Sequence, residues 1–146
     1  MSRRNVSLIV LLVVLGGLAL WLNFRPAPGL QASVVRISNG PISFAFSDDL
    51  LIQELRVDRL DGLDGAEVER VWHLQRREIE PDENGVVEPI PDRWWISAVA
   101  YGRPPPGMRR HPDSETPRRG LDLIAGDTYR LTLVAEPEAV VLEFTP

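Results

Sequence analysis

Val6 to Phe24, VSLIVLLVVLGGLALWLNF, is a run of nineteen residues that no charge interrupts. At about 1.5 Å of rise per residue a helix of that length reaches roughly 28 Å, close to the ~30 Å hydrocarbon core of a bilayer. A helix in lipid satisfies its own backbone hydrogen bonds, so Gly16 and Gly17 are tolerated, and Trp21 falls at headgroup depth, where indole rings concentrate. The run is therefore expected to be a transmembrane helix. Arg3, Arg4 and the α-amino group precede it, and Arg25 alone follows closely. Basic residues stay on the cytoplasmic side, so the N-terminus is expected inside and the C-terminal body outside.

A cleaved signal peptide shares the basic start and the apolar stretch, and Gly17-Leu18-Ala19 offers small residues at peptidase spacing. Against cleavage, the run exceeds the ~7–15 apolar residues of such signals, and a cut after Ala19 would leave Leu20-Trp21-Leu22 as an apolar terminus. Gly16 and Gly17 are adjacent rather than four apart, so the dimerisation signal is weak. The expected layout is a cytoplasmic segment over 1–5, the helix over 6–24, a linker over 25–32 and one extracytoplasmic domain over 33–146.

Composition narrows the choice. The chain has no Cys, which removes disulfides, thiolate metal sites, a cysteine nucleophile and a lipidated cysteine. All 16 basic residues are Arg; this bias, with many Ala, Gly and Pro, suggests GC-rich coding and hence a bacterial envelope. All 21 acidic residues follow the apolar run, and the 13 arginines from Arg36 onward leave that body at −8. Bulk charge of that sign argues against a nucleic-acid partner. About 120 residues suffice for one domain with a real core.

The chain then reads as strands. Arg25 to Gln31, RPAPGLQ, is a short stiff linker. Val34, Val35 and Ile37 form a first strand, closed by Ser38-Asn39-Gly40-Pro41. Ile42, Phe44 and Phe46 alternate with smaller residues until Asp48-Asp49, which are expected to end the strand; Leu50 to Leu60 alternates again. Glu67 to Ile79 fits either period. Strand is preferred, with Val68, Trp72 and Leu74 on one face and Glu67, Glu69, His73 and Gln75 on the other. Asn84-Gly85 marks a tight turn, and the prolines at 81, 89 and 91 confine their segment to loop or edge. Arg93 to Tyr101 is a strand, and Gly102 to Gly120, with five prolines and five arginines, is expected to be a long exposed loop.

Leu123, Gly126 and Tyr129, followed by the alternation of Leu131 and Leu133, resemble the tyrosine corner of fibronectin type III and related immunoglobulin-like domains. There the chain crosses between sheets and the Tyr hydroxyl ties back to upstream backbone. Val140, Leu142 and Phe144 supply a final strand. The resemblance covers Leu123 to Phe144, and beyond that only the strand count; Ala125 stands where the family often has Pro. It implies an all-β antiparallel β-sandwich of about seven or eight strands, immunoglobulin-like in type.

Catalytic chemistry finds little footing. The two histidines, His73 and His111, fall on the polar face of a strand and in the proline-rich loop. Met108 near His111 makes half a copper site at best. Asp58, Asp61 and Asp64 lack the register and closing Glu of a calcium loop. No serine sits in a nucleophile elbow, and Asp48-Asp49 have no apolar pocket. No catalytic residue, cofactor or metal site is assigned. For recognition, Trp94 and Trp95 face opposite ways along a strand, so at most one belongs to the core; Tyr101 and the pairs Arg109-Arg110 and Arg118-Arg119 flank or lie in the long loop. The expected function is a non-enzymatic, single-pass interaction or assembly module with a protein partner in or near the inner membrane. The alternative is a glycan- or wall-binding domain that uses the exposed Trp and the Gly102 to Gly120 loop.

Overall fold

A computed structural model describes residues 29–36 and 38–146. The Val6 to Phe24 run and most of the linker lie outside the described residues, among which no helix is long and apolar enough to cross a membrane. Seven strands form an antiparallel sheet: Ala32–Arg36 (β1), Ile42–Leu60 (β2), Glu67–Arg76 (β3), Trp95–Ala100 (β4), Met108–Arg110 (β5), Tyr129–Glu136 (β6) and Val140–Phe144 (β7). A 3-10 turn at Asp92–Trp94 leads into β4. The all-β antiparallel expectation and the strand count agree with this architecture.

The 19-residue β2 organises the sheet. Its first half takes β1 on one edge, with Val34 opposite Phe44, and β4 on the other, with Val99 opposite Phe44. Its second half takes β3 and β6, so that Leu55 faces Leu74 on one side and Leu133 on the other. β5 and β7 extend the order to β5-β3-β2-β6-β7. Phe44, in the first half, meets Phe144 of the far strand β7 edge-on at 5.0 Å, and Tyr129 stacks on Phe144 at 5.7 Å. The two arms of the sheet thus close over one core that includes Leu50, Leu55, Val57, Trp72, Leu131 and Leu133.

Three local expectations are corrected. Asp48-Asp49 do not end a strand. Both side chains are exposed while β2 runs on, and its pairing with β4 shifts register between Ala45 and Leu50. β4 pairs on both sides of the irregularity, while on the other edge β1 ends opposite Phe46 and β6 begins opposite Leu51, and the Ser47 amide donates to the Gln31 carbonyl at 2.9 Å. In β3 the segment is a strand, but Val68 is exposed and Val71 takes its place in the core. A register shift between Val57 and Asp58 leaves Val71 as an extra residue and turns both Val71 and Trp72 inward.

The 102–120 segment is the third. It is not wholly exposed: it contains β5, paired with β3 through Leu74 to Arg110 and Arg76 to Met108. Met108, Ser114 and Thr116 are buried. A three-residue strand is too short to show a period of two, and its pairing is entirely non-local, so its composition reads as loop.

The turn before β6 behaves as its residues suggest. Gly126 adopts φ +90°, Leu123 packs against the core, and the Ile124 amide donates to the Tyr129 hydroxyl at 2.8 Å. Tyr129→Phe leaves that amide without its partner while keeping the ring. It is expected to lower unfolding stability by about 1–2 kcal/mol, read from urea denaturation; an unchanged midpoint would show that the bond contributes nothing net.

Candidate functional site

Leu55 and Val57 of β2 point into the core, so Glu54, Arg56 and Asp58 between them project from the opposite face. Across the sheet, Arg70 and Arg130 stand beside Asp58, and Glu143 stands beside Arg130. This alternation of sign is a cross-strand ladder over four strands. Arg70 Nε donates to Asp58 Oδ1 at 2.8 Å and Arg130 Nη2 to Glu143 Oε1 at 2.8 Å. Asp58 is 1% exposed, and its second oxygen has no partner among the described residues.

His73 lies opposite Arg56 on the same polar face, yet it is only 5% exposed. Its cover is the chain that follows β5. The His111 amide donates to the His73 carbonyl at 3.1 Å, and the two imidazoles stack with centroids 4.0 Å apart and planes 7° from parallel. His73 Nε2 lies 2.8 Å from Glu54 Oε1. Residues 111–116 are held by the Ser114 amide donating to the His111 carbonyl and by a 2.8 Å bond between the Ser114 and Thr116 hydroxyls. The Asp113 amide donates to His111 Nδ1 at 3.2 Å. Between this segment and the sheet lies a cleft of about 540 Å³, lined by the two histidines, Glu54, Arg70, Asp113 and Glu115 among others.

The cleft perturbs its own titrations. Burial pulls the His73 imidazole below its usual value; the hydrogen bond to Glu54 opposes this, and the positive fields of His111 and Arg70 add to it. For Glu54, burial pushes the carboxyl up, but the hydrogen bond from His73 and the charges of His73, Arg56 and His111 outweigh it, and the net shift is downward.

The residues singled out from sequence are scattered by the fold. Trp94 is half-buried and lies against Gly107, where an added Cβ would stand 2.5 Å from the indole. Trp95 is 39% exposed on β4. Tyr101 packs edge-on against Trp72 at 5.0 Å and donates its hydroxyl to the Leu121 carbonyl at 2.7 Å. Burial, with lesser contributions from Tyr129 and Asp122, raises its pKa well above the usual tyrosine value. Arg109 and Arg110 are exposed on the edge strand β5; Arg118 and Arg119 are exposed too, and the Arg118 carbonyl accepts the Trp72 Nε1–H at 2.8 Å. The Asp61 and Asp64 carboxylates accept amides of their own turn, from Leu63 and Ala66. Met108 is buried in the hydrophobic core, and the structure brings His111 to His73 instead. In the sequence His73 falls on a strand and His111 in the proline-rich stretch, and nothing in either segment signals the other.

A second concavity, about 640 Å³, separates the far end of the polar face from residues 77–90. Ile79, Val87, Ile90 and Val134 supply its apolar lining, with Arg76 and Glu88 among the charged groups. Comparison with models of protein families, with curated proteins and with solved structures finds no match to this chain.

The site predicts a pH dependence of stability. His73 titrates below the 6.5 of a free imidazole when folded, and Glu54 below 4.5, so the unfolded chain takes up both protons first as pH falls. Stability is complete above about pH 6.5, declines as His73 is driven toward its folded pKa, and declines again below about pH 4.5 through Glu54. His73→Gln is expected to flatten the upper part of this profile in urea midpoints taken from pH 8 to 4. An identical decline between pH 6.5 and 5 in the variant would assign it elsewhere.

Proposed function

We propose that this chain is a membrane-anchored, non-enzymatic interaction module of a bacterial envelope. Val6 to Phe24 spans the inner membrane with the N-terminus inside. The β domain, a sandwich of immunoglobulin-like type, stands outside and binds a protein partner in or near the membrane. The tie between the Tyr129 hydroxyl and the Ile124 amide supports the immunoglobulin-like assignment. The carrying observation for partner binding is the groove beside residues 77–90. Val86 and Val87 are 60% and 59% exposed, and Ile90 is also exposed, next to the apolar lining. Exposed apolar side chains gathered at one groove among charged groups such as Arg76 and Glu88 suit a protein partner.

The start of the domain supports a position close to the bilayer. The Leu30 amide donates to Glu138 at 3.2 Å and the Gln31 amide to the Ser47 hydroxyl at 3.0 Å, so the chain joins the domain at Leu30. Few residues then separate that point from Phe24, and each spans at most about 3.6 Å. A partner embedded in the same membrane lies within reach.

Trp95 keeps the glycan alternative in view, because an exposed indole face can stack on a pyranose ring. The two separate on one preparation of full-length protein in mild detergent. A photo-crosslinker placed at Val87 or Ile90 is expected to capture one discrete membrane protein, and Val134→Glu to reduce that capture at least tenfold without shifting the melting temperature. Retention on insoluble wall polymer that Trp95→Ala abolishes, with no crosslinked protein, would replace the partner reading by the glycan one.

A further inference from the structure

The chain's two histidines, far apart in sequence, are stacked beside a carboxylate. Glu54 comes from β2, His73 from β3 and His111 from the segment after β5. Each offers one ligand atom, and the three atoms lie within 4.8 Å of one another. We propose that this cleft binds one divalent transition-metal ion of the zinc type through His73, His111 and Glu54, with a remaining coordination position open to the cleft.

The donor set selects the class of ion. Two imidazoles and one carboxylate suit zinc and its first-row neighbours, whereas magnesium and calcium take oxygen ligands almost exclusively. Three carboxylates, those of Glu54, Asp113 and Glu115, line the cleft, against the guanidinium of Arg70 in the lining and that of Arg56, whose Nε lies 3.9 Å from Glu54 Oε1. Met108, whose thioether would favour a softer ion, is turned into the hydrophobic core.

Loading requires a small rearrangement. Metal–ligand bonds of about 2.0–2.2 Å place tetrahedral donor atoms about 3.3 Å apart, closer than the 4.8 Å limit within which they now lie. Imidazole lone pairs lie in the ring planes, so two nearly parallel rings cannot converge on one ion until the stack opens. His73 is held, with its side chain 6% exposed, while the His111 and Glu54 side chains are 21% and 34% exposed and have room to turn. His111 gives up its 3.2 Å bond from the Asp113 amide if it binds through Nδ1. The bound ion ties β2, β3 and the 111–116 segment together, so binding stabilises the fold by mass action.

The test uses full-length protein in detergent, purified without a polyhistidine tag and stripped with chelator. Equilibrium dialysis against zinc chloride is expected to give one zinc per chain, with a melting temperature that rises with zinc concentration. Cobalt chloride should bind at the same stoichiometry with visible d–d absorption, and zinc should shift the Cε1–H proton resonances of both histidines. His111→Ala and Glu54→Gln, both at partly exposed side chains, should weaken zinc binding at least tenfold each while both metal-free variants stay folded at the assay temperature, Glu54→Gln with a lower melting temperature because it removes the carboxylate that pairs with His73. Failure to reach one saturable equivalent overturns the proposal, as does unchanged affinity in both variants or a preference for magnesium or calcium over zinc.

Discussion

A β-strand has two hydrogen-bonding edges, and here a single strand uses both of them twice. β2 is long enough to present its first half to β1 and β4 and its second half to β3 and β6, and every other feature of the domain follows from that sharing. On one edge the hand-over from β1 to β6 falls across Ser47 to Asp49, where the side chains are exposed, while on the other edge β4 pairs on both sides of a register shift there before β3 takes over from Glu54. Because β1 and β4 ride on one half and β6 and β7 on the other, Phe44 reaches Phe144 and the arms enclose one core. A break in β2 would remove support from four strands at once.

The same strand builds the polar face. Its period of two sends Leu55 and Val57 inward and Glu54, Arg56 and Asp58 outward, and the outward row is then partly covered by residues 111–116. Covering charges costs free energy unless they are paired. Arg70 meets Asp58 and His73 meets Glu54 for this reason, and His73 is pressed toward its neutral form. A polar face covered by a proline-rich segment, with two imidazoles in contact beneath it, differs from an ordinary solvated sheet surface. That difference is what gives the cleft its chemical potential as a ligand site.

Much of the fold was legible in the sequence, for physical reasons that can be named. Alternation over Leu50 to Leu60 and Leu131 to Leu133 reports a half-buried strand directly, and Gly126 with Tyr129 reports a turn whose geometry few other residues support. Glu67 to Ile79 reads as strand, and Glu67–Arg76 is one, although a bulge puts Val71 rather than Val68 in the core. Bulges depend on the partner strand, and nothing local in EVERVWHLQR marks one. Alternation puts Trp94 and Trp95 in one strand, whereas Trp94 ends a 3-10 turn and β4 begins at Trp95, and only the neighbourhood of Gly107 tells which ring is covered.

The sequence by itself determined the all-β antiparallel class, the turn and anchor around Tyr129, and an uncharged run of membrane length ahead of the domain, because periodicity, turn chemistry and hydropathy are properties of consecutive residues. Only the tertiary structure decided that Asp48-Asp49 lie within a strand, that Met108 belongs to the core, and that His73 and His111 stack beside Glu54. Each of these rests on pairing between segments distant in the chain, where β5 docks on β3 and β3 on β2. Such contacts are set by register across the sheet, which no window of neighbouring residues contains.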